Sequence, residues 1–300
     1  MAPTRQNPKI GVVGVSNGWS SGHLADVVAA RTGHRLLVEM RRLEFDLASG
    51  RVNCDGTDLG TLDALIVKKL GARYRPELLD RLEILHYLHA RGVAVFSKPA
   101  SIMRLLDRLS GTVTLRIGGI PMPDTVVTED IEHAASAVVR FGKAVLKPLY
   151  TSKARGMEVV KDGPDLRDRI EAFRSAGNSI LYVQRLMSLP GQDMGVVFLG
   201  GQYVASYARV AGKLAWNTTT ASGGRYRPCE PSDAVIDLAY RAQALFDLDF
   251  TCVDVGETPD GPMVFEVSAF GGFRGLKEAT GIDAAERYVD YVLRKLAPEG

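Results

Sequence analysis

Between Ile10 and Val95, short apolar, β-rich runs alternate with stretches of helical periodicity, an order that specifies a parallel α/β layer. The runs are IGVVGV from Ile10, HRLLVEM from His34, DALIVKK from Asp63 and VAVF from Val93, with helices expected over about Ser20–Thr32 and Pro76–Arg91. A polar hairpin separates the second run from the third. The loop SNGWSSG from Ser16 joins the first strand to the first helix, where free backbone N–H groups favour an anion. Gly11, Gly14 and Gly18 miss the GxGxxG spacing, and no acidic residue is clearly placed at the end of the second strand to hold a ribose, so a dinucleotide site is disfavoured.

The rest of the chain divides in two. KPASIMRLLDRL from Lys98 reads as one helix with Pro99 in its first turn, followed by the apolar stretch TVTLRIGG and the IPMP turn. Next come TVVT, a helix after Asp130, the strands KAVLKPLY and MEVVK, a helix over about Asp165–Ala176 and the strand ILYVQRL. A last unit carries the hairpin MGVVFLGG/QYVASYARV, a loop WNTTTASGGRYRP, a helix from about Asp233, the hairpin FTCVDVGE/PMVFEVSAF and a closing helix from Ala284. The expected units are 1–98, 99–183 and 184–300.

A net charge of +2, with no long Lys/Arg run, gives no reason to expect nucleic acid as a partner. The apolar runs are far shorter than the roughly 18 residues of a spanning helix, so no membrane partner is expected. MAPTRQNPK lacks the apolar segment of an export signal, and a cytoplasmic setting is the expectation. Cys54, Cys229 and Cys252 form no CxxC pair and are read as buried or incidental thiols.

Chemistry concentrates on the last hairpin. Asp254 and Glu266 sit on apolar strands joined by TPDG, and a turn near Pro259–Gly261 places the carboxylates roughly opposite each other. Facing buried acids repel, and a divalent cation between them relieves both the repulsion and the desolvation; an arginine or lysine partner, or water, is the alternative. Oxygen ligands at low count suit Mg²⁺ completed by water and phosphate, and Mn²⁺ can take the same donors. Lys147, on the apolar strand KAVLKPLY ahead of the loop TSKARG, needs an anion such as a phosphate, unless it pairs internally or snorkels. Lys68, Lys69, Arg73 and Tyr74 follow a parallel strand at its carboxyl end, where ligands of such sheets bind; they are candidates for the substrate carboxylate, with solvated loop charge as the alternative.

The order of these motifs (VLKPLY with a small-residue loop, VQ ending a strand, a GG loop, then D…FEV and GGFRG) resembles the ATP-grasp superfamily. The likeness is to RimK-type and LysX-type carboxylate–amine ligases, over roughly Ile10 to Leu296. KKLGARY, KARGMEVV and FEVSAFGGFRG also resemble the ATP-grasp member of bacterial GAK-type systems, a divergent RimK-like branch. The resemblance implies an α/β ATP-grasp fold in which an N-terminal parallel domain precedes two α+β domains that clasp ATP. It implies Asp254, Glu266 and Ser268 at the metal, with Ser268 standing where the family has Asn. It places Arg108, Lys147, Ser152, Lys153, Gly156, Gln184, Arg185, Leu186 and Asp193 at the nucleotide, and Arg209 at the phosphate or acyl-phosphate. TTASGG aligns with the family's N-T-A-R-G-G, which brings Gly223 and Gly224 to the substrate.

Several positions depart from that pattern. Arg108 replaces a lysine, Thr151 and Ala154 replace loop glycines, Gly195 and Ser222 replace arginines, and Thr219 replaces an asparagine. Arg225, Arg227 and Arg274 are the nearby cations able to restore the lost charge. The implied activity is ATP- and Mg²⁺-dependent amide or peptide bond formation between a small-molecule or peptide carboxylate and an amine donor, with homo-oligomerisation left open. An ATP-binding regulatory protein without turnover, or a phosphotransferase, are the alternatives.

Overall fold

The computed structural model describes residues 7–212, 217–219 and 223–297. The first unit runs β1 (Ile10–Val13), α1 (Trp19–Thr32), β2 (Leu37–Val38), β3 (Leu43–Asp46), β4 (Arg51–Cys54), β5 (Thr57–Asp58), β6 (Ala64–Val67), α2 (Glu77–Ala90) and β7 (Ala94–Phe96). Strands β2-β1-β6-β7 form a parallel sheet, while β3-β4-β5 form a small antiparallel one. β1 and β6 are buried at every position, which is why they read as unbroken apolar runs rather than alternating ones.

The expected single helix at Lys98 is two, α3 (Pro99–Leu106) and α4 (Arg108–Ile117). Asp107 leaves the helical region, and its carboxylate accepts from Leu109 N, capping α4. Arg108 is therefore the first residue of α4 and not part of α3. β8 (Thr125–Thr128), α5 (Ile131–Phe141), β9 (Lys143–Leu146), β10 (Glu158–Lys161), α6 (Leu166–Ser175) and β11 (Leu181–Arg185) then build a sheet in the order β10-β9-β11-β8.

The last unit holds β12 (Gln192–Leu199), β13 (Gln202–Val210), β14 (Arg225–Pro228), α7 (Asp233–Ala244), β15 (Phe250–Thr258), β16 (Gly261–Ser268), α8 (Phe273–Thr280) and α9 (Ala284–Leu296). Its sheet order is β14-β13-β12-β15-β16. Two elements were read only as loops in the sequence: RYRP pairs with β13 as β14, and FRGLKEAT after the GG is α8. Both are short, and their apolar content is too low for periodicity to show.

Hydrophobic packing groups the chain differently from its linear order. β8–β11, α5 and α6 enclose a core of their own, from Ala134 to Val183. The first and last units instead share cores: Ile10, Leu24 and Ala64 pack with Phe250, Leu276 and Tyr288. Residues of 99–122, such as Ile102, Leu106 and Leu115, join the other shared core rather than that of the central sheet. The central sheet thus has a core of its own, while the first and last units share theirs. Among the described residues no helix is long and apolar enough to cross a membrane.

Candidate active site

A cavity of about 760 Å³ opens between the central sheet and the other two units. One wall is the acidic hairpin β15–β16. Its turn is Pro259–Asp260, and the pairs Thr258↔Gly261 through Val255↔Val264 continue regularly from it. That register alone would set Asp254 opposite Phe265. A β-bulge intervenes, and Asp254 pairs with Glu266. The extra residue lets Val264 and Val267 both enter the core while Phe265, Glu266 and Ser268 all line the cavity.

Asp254 is not alone. Arg209 on β13 reaches across β12: its Nε donates to Asp193 Oδ1 at 3.1 Å, its Nη2 bonds Asp193 Oδ2, and the same nitrogen lies 2.9 Å from Asp254 Oδ2. Asp254 thus has the arginine partner that the sequence offered as the alternative to a divalent cation. Burial still pushes the Asp254 carboxyl up to about 7; Arg209 opposes this, while Asp193 and Glu266 add to it. Burial works against the charge on Arg209, yet Asp254 and Asp193 more than offset it and raise its pKa well above the usual value. Glu266 has no ion pair within 4 Å among the described residues.

Gly195 faces Asp254 on one side and Tyr207 on the other. A Cβ there would stand 2.4 Å from the Tyr207 ring, as would one on Gly275. The family's arginine has no room at 195, because Tyr207 fills that space and lines the cavity itself. Burial pushes the neighbouring Cys252 thiol up to about 12, consistent with an inert thiol.

The opposite wall is cationic. Lys147 follows β9 directly; it is only 9% exposed, and its Nζ donates to Gln184 Oε1. Gln184 Nε2 in turn donates to Thr125 Oγ1 at 3.0 Å. Burial, and then Arg108, push the Lys147 ammonium down to about 7, with Glu266 acting in the other direction. Arg108 lies outside the cavity lining but ties down the following loop, donating to the carbonyls of Pro148 at 3.2 Å and Thr151 at 3.3 Å. In that loop Lys153 and Ala154 take φ of 59° and 55°. Left-handed backbone costs an L-residue roughly 1 kcal/mol, so Ala154→Gly is expected to raise the denaturation midpoint slightly, by an amount equivalent to about 1 kcal/mol or less. An unchanged or lowered midpoint in urea titration would count against strain there.

Lys69 is half-buried; burial, then Lys153 and Arg155, lower its pKa. Lys69, Lys147, Lys153 and Arg155 line the cavity, and none has an acid within 4 Å among the described residues. Lys68 is committed elsewhere: its Nζ donates to Phe270 O at 2.7 Å and lies 3.6 Å from the Phe273 ring centroid. That contact ties β6 to the segment after β16.

Of the residues singled out in the sequence, Lys68, Lys69, Tyr74, Lys147, Ser152, Lys153, Gln184, Arg185, Leu186, Asp193, Arg209, Asp254, Glu266, Ser268 and Arg274 line this one cavity. Arg274 also lies 3.4 Å from Glu278 and 5.8 Å from the Trp19 ring. Arg73, Gly156, Gly223, Gly224 and Arg225 do not line it, and Arg225 and Arg227 are exposed on β14. Ser222 lies outside the described residues. Sequence reasoning missed Trp19, Tyr207, Tyr226 and Phe265 as lining residues: Tyr207 and Phe265 are on strands, where an aromatic reads as core, and Trp19 and Tyr226 fall in segments read as loops.

Among the described residues no three His, Cys, Asp or Glu side chains gather as a metal cluster. Two facing carboxylates and the Ser268 hydroxyl nevertheless fit Mg²⁺, which keeps water and phosphate oxygens as its remaining ligands.

Solved structures similar to this chain give the fold. The ATP-grasp ligase PsnB, complexed with a phosphomimetic variant of its minimal precursor, Mg and ADP, superposes with a TM-score of 0.75 at 22% identity, covering 98% of this chain and 100% of that one. An ATP-grasp RimK domain protein from Sphaerobacter thermophilus gives 0.73 at 24% identity, over 94% and 98% of the two chains. The fold is that of the ATP-grasp ligases. The sequence profile of the RimK-like ATP-grasp domain matches residues 102–292, and the chain belongs to that family of ATP-dependent carboxylate–amine ligases. Relatives include the tetrahydromethanopterin:alpha-L-glutamate ligase of Methanosarcina acetivorans, 27% identical over 261 residues, 78% of this chain and 81% of that one. The ribosomal protein bS6–L-glutamate ligase of Salmonella paratyphi B is 25% identical over 281 residues, 90% and 91% of the chains.

Proposed function

We propose that this chain forms an amide or peptide bond between a carboxylate on a peptide or small molecule and an amine, through an acyl-phosphate, with ATP converted to ADP and phosphate. The observation that carries the reading is the polarity of one cavity: the facing acids Asp254 and Glu266 on one wall, the buried, acid-free Lys147 with Lys69, Lys153 and Arg155 on the other. Such an arrangement takes a polyanion accompanied by a divalent cation. A substrate carboxylate oxygen attacks the γ-phosphorus as the bond to ADP breaks, and the amine nitrogen then attacks the acyl carbon as phosphate leaves. Mg²⁺, held by Asp254, Glu266 and Ser268, neutralises phosphate charge when bound; Mn²⁺ suits the same oxygens. Lys147 and Lys153 hold phosphate oxygens, while Gln184, Arg185 and Leu186 border the base. No protein nucleophile takes part.

The test is amine-dependent ADP release with Mg²⁺ across amino acids and acidic peptides, with product analysis. ADP, phosphate and a new amide are expected. ADP with a phosphorylated acceptor would instead identify a phosphotransferase. Nucleotide binding without turnover for any acceptor would favour a regulatory protein. Glu266→Gln is expected to raise the Mg²⁺ concentration for half-maximal turnover about tenfold or more, since one carboxylate ligand becomes neutral; an unchanged Mg²⁺ dependence would remove Glu266 from the metal.

A further inference from the structure

A second cleft, of about 440 Å³, lies at the end of the central sheet where β8 begins and β11 ends, lined by Arg116, Asp124, Thr125, Arg140, Phe141 and Arg185. Its three arginines come from the last turns of α4 and α5 and from the end of β11. A lone cation in a last helical turn is explained by the helix dipole. Three around one cleft are not, because like charges repel and Asp124 is the cleft's only acid. Asp124 approaches only Arg185, at 3.7 Å, beyond hydrogen-bond length. Arg116 and Arg140 have no acid within 4 Å among the described residues. The cleft therefore carries a net positive charge that an anionic ligand neutralises.

The surroundings select the kind of anion. Thr125 begins β8, the edge strand of the sheet, which pairs with β11 alone. Its outer edge has no strand partner among the described residues, leaving backbone donors and acceptors to accept an added extended chain. Phe141 contributes an aromatic ring to the same lining, an apolar surface between the charges. We infer that this edge docks an acidic peptide segment, extended along β8 with its carboxylates on Arg116, Arg140 and Arg185 and apolar side chains between them. The cleft adjoins the catalytic cavity, since Arg185 lines both. Thr125 also lines the cleft and accepts from Gln184, the partner of Lys147. The choice of an acidic peptide as occupant rests on the ligase reading, in which a peptide supplies the reacting carboxylate; docking itself is measurable without turnover.

The experiment is fluorescence anisotropy of a labelled eight-residue peptide of alternating Glu and Val, titrated with the full chain at moderate ionic strength. Arg116→Ala/Arg140→Ala is expected to weaken binding about tenfold or more, since each charge-assisted pair is strong, while leaving the thermal midpoint and nucleotide affinity near those of the parent. A peptide with alternate backbone amides N-methylated is expected to bind about tenfold more weakly, because strand addition needs those donors. Equal binding to the parent and the double variant, no binding to the parent, or an oligonucleotide of equal charge binding as tightly, would each overturn the proposal. Loss of the ligase reading shows up separately, as absent amide product with peptide binding intact.

Discussion

Lys147→Met is expected to lower kcat/KM for ATP about 10²–10³-fold, the loss typical of removing one preorganised donor from developing phosphate charge. The same substitution should carry an opposite signature in stability. Burial depresses the Lys147 pKa from 10.5 to about 7 in the folded chain. Between those values the unfolded chain binds the extra proton, so parent stability rises with pH across that window, and the cost of the buried charge is fully present below about 7. Methionine abolishes that cost but leaves Gln184 Oε1 without its donor, a penalty of roughly 1–3 kcal/mol. The two effects oppose each other, so the pH trend is the readout. The difference in Tm, variant minus parent, should be more positive at pH 6 than at pH 10. A flat difference would mean that Lys147 is not a buried, uncompensated cation, and unchanged turnover would remove it from the phosphate site.

Arg209→Met should destabilise the metal-free chain by about 3–5 kcal/mol, the range for removing one partner of a buried ion pair. Asp193 and Asp254 have side chains only 9% and 15% exposed, and without Arg209 both face each other and Glu266 with no cation within ion-pair distance among the described residues. Combining Arg209→Met with Asp193→Asn should recover part of the loss, because one stranded charge is gone; a double-mutant cycle in urea measures it. Additive losses would show that Arg209 stabilises the hairpin by packing rather than by charge. Saturating Mg²⁺ should also narrow the deficit if the cation binds Asp254.

How much of this was legible in the sequence differs by element. β1 and β6 were, because strands buried on both faces must be apolar throughout. The hairpins β12–β13 and β15–β16 were, because their turns and apolar runs act over a few residues. α8 and β14 were not, being short and polar. The split at Asp107 was misread as helix interior, because an aspartate that caps one helix has the same local neighbours as one that sits inside a longer one.

By itself the sequence determined that two acids sit on apolar strands and one lysine at the end of another, in the order that marks an ATP-grasp chain. Tertiary structure decided what they meet. A one-residue bulge, not the turn, sets Glu266 against Asp254. Arg209 reaches Asp254 from 45 residues away in the chain because β12 lies between their strands. Tyr207 occupies the space that Gly195 leaves, and Lys68 reaches a carbonyl 202 residues away. Periodicity and turn chemistry are local interactions that repeat along the chain, so they can be read in order. Ion pairs, register slips and filled spaces depend on which surfaces pack together, and only the folded molecule brings those surfaces into contact.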